Sequence, residues 1–171
     1  MTTARAAAAQ PALRPLCAAD LPDVLAIQRA AYGDGYQESA AVLARKLALA
    51  PQACWLAQAD GAAVGYVFAH PWDDVGAPSL HAPLAILPAC AAHGFVHDLA
   101  VAPAARGLGV AAALFGRVRD WSAGAGHRGM RLVALADAVP FWVRQGFAAL
   151  PAALPPGYGA GARLMERALR D

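Results

Sequence analysis

Residues 97–114 read HDLAVAPAARGLGVAAAL. A short apolar run passes through Pro103 to Arg106, and then Gly107 and Gly109 open a stretch of helical composition. A helix start exposes about four N–H groups without intrahelical partners and about half a positive charge. Glycines placed there remove the side chains that would hold an anion away from the backbone. Arg106-Gly107-Leu108-Gly109-Val110-Ala111 adds a guanidinium and a small alanine, so an oligophosphate is the natural guest. Three readings meet here: an ordinary strand-to-helix turn, a dinucleotide fingerprint, or a cradle for another phosphate.

The stretch GLGVAA at 107–112 satisfies a loose G-x-G-x-x-A. A dinucleotide fingerprint follows its strand directly and carries an acid about 20 positions later. Residues 102–106 separate Val101 from Gly107, and Ser122–Arg131 holds no acid. The nicotinamide-dinucleotide reading is therefore a minor alternative. A P-loop is excluded, because no G-K-[ST] follows.

Outward from this stretch, an N-terminal tail over residues 1–12 lacks an apolar signal core, and Leu13–Leu16 reads as a first strand. Asp20, with Asp23 three residues on, is expected to cap a helix reaching about Tyr32. Leu21, Val24, Leu25 and Ile27 give that helix an apolar face. Gly33-Asp34-Gly35 breaks it, and Ser39 caps a second helix that Pro51 stops. Cys54–Gln58 and Ala63–Ala69 flank Asp60-Gly61, a hairpin signal. Between Pro71 and Gly94 the chain carries Pro78, Pro83 and Pro88 with little periodicity, and so long an irregular stretch is usually functional or mobile.

Phe95–Val101 reads as a buried strand, followed by a helix from about Gly109 to Ser122 and a second buried strand at Leu132–Ala136. Asp137 is expected to cap a short helix with Pro140 in its first turn and Gly146 as its left-handed C′ residue. Phe147–Leu150 and Arg163–Leu169 complete the pattern as two strands. The order β-α-α-β-β-β-α-β-α-β-β implies one α/β domain over 13–171, its sheet part antiparallel and part parallel.

The net charge of +2 provides no field that would select nucleic acid or an acidic membrane. Hydrophobic residues make up 58% and charged residues 15%, a skew that is largely alanine and otherwise points to a homodimer interface. No apolar run approaches the roughly 18–20 residues that span a bilayer. Cys17, Cys54 and Cys90 show no metal-ligand spacing and leave one thiol over, so a reducing, cytoplasmic setting is expected. Among 14 basic residues, Lys46 is the one lysine.

Leu99-Ala100-Val101, the proline and Arg106–Ala111 together resemble the R-x-x-G-x-[GA] acyl-CoA motif of the GNAT superfamily of N-acetyltransferases. Phe141-Trp142-Val143-Arg144-Gln145-Gly146-Phe147 resembles the family's helix ending in Gly-Phe, and DGAAVGYVFA at 60–69 its second-to-third-strand hairpin. The likeness runs from about residue 13 to residue 169. It implies a GNAT-like α/β fold of about seven mixed strands and about four helices, splayed between the fourth and fifth strands. It also implies acetyl-CoA as co-substrate, no metal, and direct attack on the thioester by a primary amine of a small molecule or peptide. The diphosphate would rest on N–H groups of Gly107, Gly109, Val110 and Ala111, with Leu108 inside the motif and Arg106 flanking it. The pantetheine arm would run along Leu99, Ala100 and Val101 like an added strand.

The resemblance also suggests proton carriers. Family members often take their base from the strand before the motif, two or four residues ahead of the leucine, and His97 occupies the nearer place. Its ordinary pKa of about 6.5 suits neutral pH. By alternation, His97 should share a face with Phe95 and Leu99 while Asp98 points away to orient a neighbouring donor. A tyrosine common four residues before the Gly-Phe glycine is here Trp142, which cannot act as an acid and is expected to pack against the cofactor. Tyr158 is the alternative proton donor. Tyr32, Tyr36, Glu38, Trp72, Asp73 and Asp74 fall where the family lines its acceptor pocket. Phe141 and Met165 read as core, and Cys90, His93 and His97 are too irregular for zinc. The absent tyrosine leaves a second reading, an acyl-CoA-binding domain without catalysis that serves as a sensor or subunit.

Overall fold

The computed structural model describes residues 10–73 and 76–169. Most of the expected tail, and Asp74, lie outside the described residues. The elements are β1 (Ala12–Pro15), α1 (Leu21–Tyr32), α2 (Ala40–Leu49), β2 (Cys54–Ala59), β3 (Ala62–Trp72), β4 (His93–Val101), α3 (Val110–Gly124), β5 (Gly129–Ala134), α4 (Val139–Arg144), β6 (Ala148–Ala149) and β7 (Arg163–Ala168). The strands form one seven-stranded sheet in the order β1-β2-β3-β4-β5-β7-β6. The β4–β5 pair is parallel and every other pair antiparallel. No helix among the described residues is long and apolar enough to cross a membrane.

Local chemistry accounts for most of the boundaries. Ser39 caps α2, its hydroxyl accepting from Val42 N–H at 3.3 Å. Asp60 and Gly61 turn the β2–β3 hairpin with φ of 50° and 79°. Two expected caps are absent. A 3₁₀ turn over Ala18–Asp20 leads into α1 and holds Asp20 at φ −84°, ψ −11°, outside the extended geometry that an N-cap side chain needs. The Asp20 carboxylate turns back to Cys17 N–H (2.8 Å) and to Arg14 (2.6 and 2.7 Å), which hold it well below the usual carboxylate range. Asp137 does not cap α4; that place falls to Ala138, also in helical geometry.

Alternation along β3 divides the core. Tyr66 and Phe68 pack with Val24, Ile27, Leu43 and Leu47 under α1 and α2. Val67 and Ala69 pack with Leu114, Phe115 and Val118 of α3 on the opposite face. At Gly65 an added Cβ would lie 2.9 Å from Val110 and 3.0 Å from the Ala100 carbonyl, so the absent side chain lets the start of α3 sit close on the sheet.

One irregularity positions the site. The β3–β4 register passes from Phe68↔Asp98 to Ala69↔Val96 and skips His97, which is the extra residue of a β-bulge. Simple alternation therefore fails here. Asp98 pairs with Phe68 and meets α1, Leu99 pairs with Val67 on the α3 side, and His97 reaches Glu38 at the start of α2. His97 and Asp98 thus share a face, and Leu99 lies on the other.

Candidate active site

The β4–β5 ladder ends at Val96↔Leu132, although β4 continues to Val101 and β5 to Ala134. Beyond that rung the strands part. The bond from Ala102 N–H to the Val64 carbonyl (2.8 Å) sets the hydrogen-bonding phase of β4 against β3. Ala100 and Asp98 therefore turn their main chain toward β3, and Leu99 and Val101 turn theirs into the gap. A cavity of about 620 Å³ occupies the gap and reaches Tyr32, Tyr36, Glu38, His97, Trp142 and Tyr158.

At one end of this cavity lies the glycine turn. Gly107 and Gly109 both hold φ of 79°, a conformation costly for other residues, and an added Cβ at either would meet nothing within 4 Å. The first bond of α3 runs from Ala113 N–H to Gly109 O (3.0 Å), so the N–H groups of Val110, Ala111 and Ala112 lie ahead of it. These groups face a hollow of about 270 Å³ shared with Gly107, Gly109 and the guanidinium-bearing Arg106 and Arg144. Arg106 also donates to the Ala31 carbonyl at 3.3 Å. An unpaired helix start, an open turn and two cations suit a diphosphate, and the β4 edge that faces the gap, where the Leu99 carbonyl accepts the Tyr32 hydroxyl at 2.7 Å, presents main-chain groups to an extended amide-bearing arm. Leu108 lies in the turn, about half exposed, and lines neither hollow.

Trp142 is buried against Phe115, Phe141 and Phe147, with ring centroids 4.9–5.4 Å apart. The indole is a wall of the cavity and offers no acid.

The other end carries an ionised cluster. Glu38, 4% exposed, accepts Lys46 Nζ on both oxygens (2.8 and 2.9 Å), His81 N–H on Oε1 (3.0 Å) and His97 Nε2 on Oε2 (2.8 Å). Four contacts fill the accepting capacity of a carboxylate. Burial alone would raise its pKa, but the His97 contact and the Lys46 charge outweigh that and hold it down to about 2. Burial lowers the pKa of Lys46, against the pull of Glu38. Asp98 accepts from Tyr66 OH (2.6 Å), Tyr32 OH (2.9 Å) and Gln28 Nε2 (3.2 Å). Gln28 in turn accepts Glu38 N–H at 3.0 Å, which ties the Asp98 carboxylate to the Glu38 main chain.

Because a carboxylate only accepts, His97 Nε2 carries the hydrogen in that contact, and Nδ1 is the nitrogen left uncommitted. Nδ1 is buried with no partner. The His70 ring lies 6.0 Å away; its Nδ1 donates to the Pro71 carbonyl (2.9 Å), and its buried Nε2 is likewise unpartnered. Burial drives the pKa of His70 down to about 3.

Several sequence expectations shift here. Tyr158 reaches the cavity, but its hydroxyl donates to the Pro78 carbonyl at 2.6 Å, and burial raises its pKa. Trp72 does not border the cavity; its indole donates to Gly76 O at 2.9 Å. Asp73 binds Ala92 N–H at the loop base. Glu38 is a saturated hub with no lone pair left for a ligand. No group of three metal-ligating side chains occurs among the described residues. Sequence reasoning alone assigned no place in the site to Lys46, His70 or Arg144. The signal for Lys46 was its standing as the one lysine in an arginine-rich chain.

The sequence profile of the acetyltransferase (GNAT) family matches residues 21–147. No curated protein matches the chain in sequence. Among solved structures, the chain is similar to the loading GNATL domain of CurA from Lyngbya majuscula, with TM-score 0.79, 14% identity, and 93% and 98% of the two chains covered. It is also similar to Ard1 from Thermoplasma volcanium (0.73, 17%, 94% and 99%). A third is the PaiA N-acetyltransferase of Thermoplasma acidophilum in complex with coenzyme A (0.70, 14%, 93% and 99%). At these identities the likeness is one of fold.

Proposed function

The chain belongs to the acetyltransferase (GNAT) family, and from that premise we propose that it transfers the acetyl group of acetyl-CoA to a primary amine of a small molecule or peptide. The observation that carries the reading is the continuity of the glycine turn with the β4–β5 gap: Val101, Arg106 and Ala111 border both hollows. The diphosphate rests on the N–H groups at the start of α3, and the pantetheine arm follows the main chain of Leu99 and Val101. The amine nitrogen attacks the thioester carbon, the C–N bond forms, the C–S bond breaks, and CoA leaves as a thiolate that gains the proton shed by the amine.

His97 takes that proton first. Its side chain is 1% exposed and its Nε2 is held on Glu38, so Nδ1 is the nitrogen that takes the proton, through one water, when both substrates are bound. Glu38 and Lys46 hold the imidazole in place. With Trp142 unable to donate and the Tyr158 hydroxyl spent on Pro78, the thiolate leaves without a tyrosine acid. That same feature favours the second reading, a non-catalytic acyl-CoA-binding domain. We assign the protein to a reducing, cytoplasmic compartment; Cys17, Cys54 and Cys90 as free thiols support this.

Release of free thiol from acetyl-CoA across a panel of amines and peptides tests the proposal. Amine-dependent release is expected. Tight acetyl-CoA binding with no release for any acceptor would replace the enzyme with the binding domain.

A further inference from the structure

The connection between β3 and β4 contains no helix or strand among its described residues, yet it is tied down along its length. Gly76 O accepts from Trp72, Pro78 O accepts the Tyr158 hydroxyl, and His81 N–H donates to Glu38. Arg45 of α2 donates to Leu84 O (3.1 Å) and Ala85 O (2.6 Å). Leu84 is buried and Leu80 borders the cavity. His81 holds φ of 63°, an unusual conformation for a residue other than glycine, at the point where its N–H meets the buried carboxylate. Residues 76–85 therefore form a strap from the β6–β7 loop to α2, crossing the acceptor end of the cavity.

A contact between the α1–α2 linker and the β6–β7 loop borders the same end. Tyr36 OH donates to Tyr158 O at 3.3 Å, and a Cβ on Gly159 would collide with the Tyr36 hydroxyl. The α1–α2 linker, the strap and the β6–β7 loop thus meet around one chamber. An extended polypeptide needs about 3.3 Å of open path per residue and free main-chain groups along it. Here the Pro78 carbonyl, the His81 N–H and the Leu99 carbonyl are already engaged, and the rest of the β4 edge is given to the cofactor arm in the proposed function.

We infer that the acceptor is a small primary amine held wholly beneath the strap, and that amines on polypeptides are excluded. The inference rests on the proposed transferase function. It is tested by calorimetry with coenzyme A and two conjugates in which an acetyl linker joins the CoA sulfur to n-butylamine or to the N-terminus of a pentapeptide. The butylamine conjugate should bind at least as tightly as coenzyme A, and the peptide conjugate about tenfold or more weaker. Arg45→Ala combined with Tyr158→Phe loosens the strap and should recover most of that loss. A peptide conjugate that matches coenzyme A on the unmodified protein would overturn the inference and leave the transferase reading standing. A butylamine conjugate tenfold weaker than coenzyme A would also overturn it, since no chamber would then be open beyond the sulfur. Failure of coenzyme A itself to bind would remove the transferase reading and this inference together.

Discussion

At the scale of single residues, the bulge at His97 determines what the acceptor end can do. One unpaired residue turns His97 and Asp98 to the same side, where Glu38 fixes one and two tyrosine hydroxyls fix the other. His97→Ala should lower kcat by about 10²-fold, as expected for loss of a general base, while acetyl-CoA affinity stays unchanged. Steady-state rates set beside calorimetry check this, and a rate within twofold of the parent would remove His97 from the reaction. The neighbouring His70 has a consequence for stability. In the unfolded chain it protonates near 6.5, but in the fold only near 3, so the unfolded state binds more protons between those values. Stability should fall as pH drops through that window, by on the order of 2 kcal/mol between pH 7 and pH 5 from this residue. Glu38, held down to about 2 from 4.5, adds a second loss at lower pH. His70→Phe should flatten the upper limb in urea titrations at pH 7 and pH 5. An unchanged difference between the two would show that His70 is not the group responsible.

At the scale of elements, what the sequence revealed follows from how local each signal is. The hairpin at Asp60-Gly61, the cap at Ser39 and the left-handed Gly146 are decided within a few residues, and all three appear as expected. The two aspartate caps failed because the preceding turns were already helical, which the side chain's identity does not reveal. The bulge was illegible for a different reason: alternation along one strand contains no trace of a register shift against its neighbour. The cluster of Glu38, Lys46, His70 and His97 gathers four positions from separate elements, and only the folded sheet brings them together. On α3, by contrast, the periodic Leu114, Phe115 and Val118 lie in the core as read. Phe115→Ala removes the ring that Trp142 and Phe147 both meet and should cost about 3–5 kcal/mol in thermal or urea unfolding. A loss below about 1 kcal/mol would mean that this core repacks freely.

For the whole molecule, the alanine excess finds its place between layers. Ala50, Ala53, Ala57, Ala69, Ala105 and Ala134 are buried in the core beneath α3, where short side chains bring helix and sheet close. The parallel β4–β5 pair opens at its C-terminal end, and a helix start with three N–H groups ahead of its first bond faces the opening. That juxtaposition forms the proposed diphosphate seat. It is tested most directly by calorimetric titration of acetyl-CoA into the parent and into Gly109→Glu, with Gly109→Ala as the control for strain at φ 79°. Saturable binding is expected for the parent, a modest weakening for alanine, and no measurable binding when a carboxylate occupies the seat. Equal affinity for the parent and Gly109→Glu would contradict it.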